Sequence, residues 1–294
     1  ERQDAIGSFV EDESLRRNMR KDLKTLADVE RIAARIALLR ASPRDLVCLS
    51  MTLGRLPELR DRLADVQLPM LERARTAMQG MDELADLLTR AIDSEAAPTL
   101  RDGGVIASGY NDELDHLRNI RSNGQQFLAE YQRELIETTG IATLKVGFNK
   151  VFGYYIEISN AHRGDVPPDF VRKQTIKNAE RYITPELKRF ESALLSARER
   201  ARSLERALFT GLCERIVSEL ASLRRLARAL AELDVLTVLG ERARALDWVR
   251  PEFDEAPGIH IEGGRHPVVE QALTTPFIPN DLALDEATRM LIVT

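Results

Sequence analysis

Residues 144–158 decide the fold, and they read LKVGFNKVFGYYIEI. Apolar side chains alternate with polar or small ones from Leu144 to Phe148, and the alternation resumes from Tyr154 to Ile158. A period of two residues is the pattern of a β-strand with one buried face. The short segment between the two runs ends near Gly153, so this stretch predicts a β-hairpin.

A second, shorter hairpin is predicted downstream. Its strands would span residues 172–176 and 180–183, where apolar and polar side chains alternate again. The tip between these strands would hold Lys177, Asn178 and Ala179. Side chains at a hairpin tip reach outward, so this tip is a candidate contact surface.

Long helices flank the two hairpins. Residues 111–139 carry apolar side chains every three or four positions, and Gly140 ends the run. Pro185 starts the next helix. Its apolar positions step three and four residues apart over three heptads: Leu187, Phe190, Leu194, Ala197, Ala201, Leu204 and Leu208. Because such a seam is typical of paired helices, the pattern predicts a helical arm that carries a small β head.

The remaining sequence before residue 248 is helical on both sides of one loop. Residues 1–94 show amphipathic stripes, and Ser42 followed by a proline predicts a new helix start. Residues 96–110 contain three glycines and predict a loop. A further helix carries the leucines of residues 220–236. We therefore expect a mainly α fold, in which long-helix lever arms carry a small inserted β-rich domain.

The pattern changes from Trp248 onward. Prolines and glycines crowd into residues 251–279, and short β segments fit between them. The chain closes on the apolar run Met290–Val293, which predicts a strand buried on both faces. Because Glu1 falls in mid-helix, we expect the chain to be an internal part of a longer protein.

Composition excludes several classes of protein. Hydrophobic residues make up 44% and charged residues 30%, a balance typical of a globular core. No apolar run reaches about 18 residues, so no membrane partner is expected. Cys48 and Cys213 are too few and too far apart for a disulfide framework, which favours a reducing, cytoplasmic setting. The four histidines show no ligand spacing, so we expect no metal site, and His266 is interpreted as a turn residue.

The β head is basic on an acidic chain. Residues 143–189 contain nine basic and five acidic side chains, a net charge of +4, whereas the whole chain carries −5 and the remainder therefore −9. A basic head suits a polyanion, because phosphate contacts release counterions. The alternative is a merely solvated surface, since an excess of this size is modest.

Six motifs resemble the MutS family of DNA mismatch-repair proteins. They occur in the order and at the spacing of that family, and together they cover essentially the whole chain: Asp102–Asn111 (DGGVIASGYN), Leu144–Asn149 (LKVGFN) with Gly153–Ile156 (GYYI), Gln174–Tyr182 (QTIKNAERY), Ala231–Val235 (AELDV), Gly264–Glu270 (GRHPVVE) and Pro276–Ile278 (PFI).

The resemblance implies a lever, a clamp and the edge of a truncated α/β ATPase domain. The expected bounds are 1–124 for the first part of the lever, 125–184 for the clamp, 185–248 for the second part of the lever and 249–294 for the ATPase edge. The implied partners are duplex DNA, a second subunit in a homodimer and a MutL-type repair protein. The implied location is the bacterial cytoplasm, in association with the nucleoid.

The resemblance also implies which residues contact DNA. Lys177 and Asn178 lie in the family's clamp motif, where they would meet phosphates at the hairpin tip without reading sequence. Further members expected as neighbours in the same surface are Arg172, Lys173, Asn149 and Lys150. For any of these residues, the alternative is an exposed side chain that contacts nothing.

The chain itself is not expected to be an enzyme or to hold a cofactor, although its parent is expected to use ATP and Mg²⁺. In the family, a glycine-rich phosphate loop follows the strand that ends at Thr294. No Gly-Lys dipeptide occurs in this chain from which such a loop could be built. Phe277 and Ile278 match family positions that pack against adenine, and we expect this contact to be vestigial. An aromatic residue followed by an aliphatic one is also ordinary core.

One further motif is rejected, and two other functions stay open. Phe9-Val10-Glu11 matches the three-letter pattern by which the family wedges a mismatch, but the same pattern recurs at Phe253 and arises by chance. A helical coiled-coil scaffold with an unrelated β head would not bind duplex DNA. A complete enzyme would turn over nucleotide.

Overall fold

The computed structural model describes two compact units, Glu1–Asp247 and Trp248–Thr294. The first is mainly helical with one small antiparallel sheet, which confirms the expected fold class for this unit. The truncated ATPase fold and the proposed domain bounds stay predictions. The described residues, apart from the side chains of residues 121, 122 and 125, are 1–101, 103–122, 124–149, 153–162 and 164–291.

The described part of the first unit begins with seven helices. Their bounds are α1 (Arg2–Glu11), α2 (Glu13–Leu23), α3 (Val29–Ala37), α4 (Pro43–Gly54), α5 (Leu56–Arg62), α6 (Pro69–Ala77) and α7 (Asp82–Ala91). The predicted start at Ser42 is confirmed. Its hydroxyl accepts the N–H of Asp45, and the Asp45 carboxylate accepts the N–H of Ser42. This capping box satisfies backbone groups that the first turn leaves unpaired.

Four helices flank the sheet in the sequence, two before it and two after it. Their bounds are α8 (Asp112–Ser122), α9 (Gly124–Thr139), α10 (Pro185–Ser218) and α11 (Leu220–Ala245). The predicted helix over residues 111–139 is thus confirmed on both sides of residue 123, which lies outside the described residues. Thr184 caps α10, because its hydroxyl oxygen accepts the N–H of Leu187 at 3.1 Å. The same hydroxyl shares a buried 2.6 Å hydrogen bond with Tyr131, which ties the start of α10 to α9.

Both predicted hairpins are confirmed. Their strands are β1 (Lys145–Asn149), β2 (Gly153–Ser159), β3 (Val171–Ile176) and β4 (Ala179–Ile183). They form one antiparallel sheet in the order β1-β2-β4-β3. A register shift between Arg172 and Gln174 leaves Lys173 as a bulge on the edge strand β3.

Two separate cores stabilise the first unit. The body core joins α1–α7 and α11 with the C-terminal half of α10. The head core lies between the sheet and the arm, and includes Tyr131 and Leu135 of α9, Ile156 of β2 and Leu187 of α10. Within the first unit, the head therefore has a core of its own, and the helices of the arm join it to the body core.

The first helix is packed against α11 in the body core. Phe9 of α1 is fully buried there. A fully buried ring is not available to insert between base pairs, which agrees with the rejection of the Phe9 motif as a mismatch wedge.

The second unit pairs two strands, β5 (Ile259–Gly264) and β6 (Asn280–Leu284), with α12 (Val269–Ala272) between them. His266 lies in the turn before α12, where its Nδ1 accepts the N–H groups of Val268 at 3.3 Å and Val269 at 3.1 Å. Its interpretation as a turn residue is thereby confirmed.

The predicted strand at the end of the chain is wrong for its first two residues. Met290 and Leu291 have irregular backbone and are 74% and 58% exposed. A strand buried on both faces needs a strand on each side, and in the described part of this unit only β5 and β6 are paired. The remaining residues, Ile292 and Val293, lie outside the described residues.

Candidate functional site

The tip of the β3–β4 hairpin presents Lys177 and Asn178 to solvent. The backbone of this tip is held by the end of β2. The N–H of Asn160 donates to the carbonyl of Asn178 at 3.0 Å, and the Asn160 side-chain amide donates to the carbonyl of Lys177 at 3.5 Å. Asn160 is exposed and belongs to the tip. Sequence reasoning missed it, because its place follows from the pairing of β2 with β4.

Strand register separates the predicted DNA-contacting residues into two groups. Asn149 pairs with Gly153 at the start of β2, whereas Ala179, next to the tip, pairs with Ser159 at its end. The seven residues of β2 separate the two positions by about 20 Å, at roughly 3.3 Å per residue. The prediction that Asn149 neighbours the hairpin tip is therefore wrong. Lys150, predicted beside it, lies outside the described residues.

The two ends of the sheet differ in their relation to the arm. The end with Gly153 lies against α10: the N–H of Tyr154 donates to Glu191 at 3.3 Å, and the rings of Tyr154 and Phe190 are 5.8 Å apart. Glycine suits position 153 because its φ is +76°, in the left-handed region where other residues are strained, and a Cβ there would also force the Glu191 carboxylate to move. Since α10 starts directly after β4 and runs toward the body, the opposite end is the distal end, defined here by Asn160, Lys177 and Asn178.

Arg172 is engaged inside the head. Its Nη1 donates to Glu180 at 2.7 Å, and the Tyr182 hydroxyl donates to the same carboxylate. The Tyr182 hydrogen bond, with Arg172 as a further cause, holds the pKa of Glu180 below its ordinary value. A phosphate contact by Arg172 must therefore compete with Glu180. Lys173 is exposed at the bulge.

Arg181 is engaged as well. Its guanidinium lies 4.1 Å from the centre of the Tyr155 ring and donates to Glu157 at 3.0 Å. Both arginines of the sheet are thus paired with carboxylates. Lys177, by contrast, has no acidic partner within the described part of the chain. The charge that is best placed to meet an external anion is therefore the lysine of the distal end.

The two residues predicted to contact adenine, Phe277 and Ile278, lie at the surface of the second unit. Phe277 is half-buried, and Ile278 is 79% exposed. These two side chains together offer one apolar face and no cradle for a nucleotide, so they do not fit ATP by themselves. Their contact with adenine stays a prediction.

Two further features of the described residues bear on possible ligands and partners. No group of three His, Cys, Asp or Glu side chains is arranged there to hold a metal ion. None of the helices described combines the length and the apolar content that crossing a bilayer requires.

The geometry agrees with a comparison to known protein families. Residues 109–200 match the family model described as MutS family domain IV. The matched range begins just before α8 and ends within α10, so it contains the β head and the arm helices that hold it. Residues 109–200, the β head with its arm helices, are therefore similar to domain IV of the MutS family.

Proposed function

We propose that the β head is the clamp of a DNA mismatch-repair protein and that its distal end holds duplex DNA without reading sequence. The observation that carries this proposal is Lys177, an exposed lysine without an acidic partner among the described residues, on a hairpin tip whose backbone Asn160 holds. Phosphates repeat along every duplex, so a fixed lysine meets them whatever the bases. Asn178 adds a neutral hydrogen-bonding group at the same place.

The distribution of charge supports this function. The head carries a net +4 within a chain of net charge −5. Because an acidic body repels phosphates and a basic head attracts them, the duplex is directed to the head. The ion pairs of Arg172 with Glu180 and of Arg181 with Glu157 remove equal amounts of both charges, so the positive excess rests on other side chains.

The arm is proposed to couple this clamp to an ATPase domain of the parent protein. We infer that two subunits close their clamps around the duplex and that a MutL-type protein acts with them. ATP and Mg²⁺ are proposed for the parent alone. The chain itself is proposed to catalyse nothing, since its sequence holds no phosphate loop.

Replacement of Lys177 by glutamate tests the clamp. We expect Lys177→Glu to weaken binding to matched and mismatched duplexes equally. With ~4 phosphates neutralised, the plot of log K against log salt should have a slope of about −3.6, and the variant should flatten it by about 1. The wild-type Kd should lie around 10⁻⁴–10⁻⁶ M at physiological salt. Fluorescence anisotropy of labelled duplexes over a salt series measures all three quantities.

Lys21→Glu is the matched control. Lys21 is an exposed lysine of α2 in the body, so the change in net charge is the same but the site is outside the head. A control variant that weakened binding as much as Lys177→Glu would show that only total charge matters. Wild-type chain that failed to bind duplex DNA at low salt would favour the scaffold function instead. A preference for a mismatch above about tenfold would contradict phosphate-only contact.

A further inference from the structure

At the base of the arm lies a buried carboxylate, Glu205 of α10, whose side chain is only 5% exposed. Its Oε1 accepts the N–H groups of Val105 at 2.7 Å and Ile106 at 3.0 Å, and its Oε2 accepts the N–H of Gly104 at 3.2 Å. Three successive backbone N–H groups thus converge on one carboxylate. Such a nest is an anion-binding arrangement, and here the anion is a side chain of the same protein.

The double glycine of this loop has a physical reason. Gly103 and Gly104 have φ values of +73° and +75°, in the left-handed region that glycine adopts without strain. A Cβ at Gly103 would also come within 3.0 Å of the Glu205 carboxylate. Both residues therefore shape the backbone so that its N–H groups face α10.

The buried charge is balanced by Arg118 of α8. One guanidinium nitrogen of Arg118 donates to Glu205 at 2.7 Å and to the carbonyl of Ile106 at 2.8 Å. The same guanidinium lies 3.5 Å from Asp115, whose other carboxylate oxygen accepts the N–H of Gly109 at 2.7 Å. The network therefore connects α8, α10 and the loop between α7 and α8.

The loop is fixed to the body on its other side. Ile106 forms a β-bridge with Ile92, just after α7. The N–H of Asp93 donates to the carbonyl of Val105 at 3.0 Å, and the N–H of Ala107 donates to the carbonyl of Ala91 at 2.9 Å. The side of the loop that does not face Glu205 is thus paired with the body. Glu205 consequently stands at the joint where α8 and α10 meet the body core.

We propose that Glu205 is the positioning residue of the arm: its nest with residues 104–106 sets the angle at which α8 and α10 leave the body, and hence where the head is held. The inference deepens the proposed function, on which its biological meaning rests. Buried charge-assisted hydrogen bonds are strong when complete, and loss of one partner leaves several groups unsatisfied. The joint is therefore stiff when the network is complete and loosens when Glu205 no longer accepts all its donors.

The substitution Glu205→Gln tests this proposal. Glutamine has the same size but only one accepting oxygen, so its side chain cannot accept from both Arg118 and Gly104, and its NH₂ group would face one of these donors. We expect amide hydrogen exchange at residues 104–106 to become roughly tenfold faster or more. We also expect a broader distance distribution between spin labels on Glu58 of the body and Asp169 of the head, introduced as ketone-bearing residues so that the native thiols remain. Glu199→Gln, at an exposed glutamate of the same helix, is the matched control and should change neither readout.

The two readouts decide the proposal together. It is overturned if Glu205→Gln accelerates exchange while the label distances stay as narrow as in wild type, or if exchange does not accelerate. If Glu205→Gln does not fold by circular dichroism, Gly104→Ala replaces it. That variant strains the left-handed backbone while leaving the carboxylate in place, and it should give the same two changes. Duplex binding is measured separately, so a wild-type chain that binds no DNA contradicts the clamp and leaves the role of Glu205 at the joint unaffected.

Discussion

The close packing of α1 against α11 predicts how replacement of a glycine by alanine changes stability, and a second glycine outside this contact provides the comparison. Gly240 of α11 is buried, and a Cβ placed there would lie 2.7 Å from Phe9 Cβ and 3.3 Å from the Phe9 carbonyl carbon. Since the position of a Cβ is fixed by the backbone, rotation of the Phe9 ring cannot relieve the 2.7 Å overlap. Gly211 of α10 is exposed and a Cβ there would meet nothing within 4 Å, so it provides the matched control.

The two alanine variants should change stability in different ways. Alanine in a helix gains about 1 kcal/mol over glycine at both positions. At Gly240 the overlap with Phe9 costs about 1–3 kcal/mol, as overpacking does in other cores. We therefore expect Gly211→Ala to stabilise by about 1 kcal/mol, and the free energies of unfolding of the two variants to differ by about 1–3 kcal/mol.

Urea unfolding followed by helical circular dichroism measures this difference, with the midpoint and the slope fitted for each variant. The difference between the free energies of unfolding of the two variants cancels the contribution of helix propensity and leaves the effect of the contact with Phe9. If Gly240→Ala stabilised the protein as much as Gly211→Ala does, the close approach of α1 to α11 would be refuted.

Two further predictions concern titrating groups. Burial raises the pKa of Cys213 to about 11, so at pH 8 only roughly one Cys213 thiol in a thousand is ionised. Iodoacetamide should therefore modify half-buried Cys48 well before Cys213, and the difference should vanish in urea. Modification of Cys213 before Cys48 in the folded protein would contradict its burial. The lowered pKa of Glu180 means that its stabilising contribution is present above the ordinary carboxyl pKa and is lost as pH falls through the lowered value. Carboxyl NMR titration should show a higher Glu180 midpoint in Tyr182→Phe than in Arg172→Gln, and an unchanged midpoint in Tyr182→Phe would remove the hydroxyl as the main cause.

Local pattern predicted the elements of the head because each element is defined by its own residues. The alternation from Leu144 to Ile158 requires two strands, and the tip at Lys177 follows from the turn between two shorter ones. Pro185 sets the start of α10 in the same way, since a proline is tolerated in the first turn and Thr184 precedes it as a cap. None of these predictions needs information from a distant part of the chain.

The arrangement of these elements could not be predicted in the same way. Asn149 ends β1 and Lys177 follows β3, but only the pairing of β2 with both β1 and β4 shows that they lie at opposite ends of the sheet. Glu205 is separated by about a hundred residues from the backbone groups that it accepts. In the sequence, Glu205 is only a charged residue next to the apolar seam position Leu204. Its role becomes visible only when the structure brings the double glycine, Gly103 and Gly104, next to it.

The position of Glu205 has a mechanical consequence for the clamp. The stretch of α10 from Pro185 to Glu205 is about 30 Å long, at roughly 1.5 Å per residue. A tilt of about 5° at Glu205 therefore displaces the start of α10 by about 3 Å, a distance comparable to a hydrogen bond. Along the arm, Leu117 of α8 and the small Ala197 of α10 are buried, and neither belongs to either core. Under the proposed function, the base of the arm controls the position of the head, and Lys177 at the distal end contacts DNA. Because the two tasks lie at different places, Glu205→Gln should alter where the clamp is held while leaving the salt dependence of duplex binding as it is in the wild type.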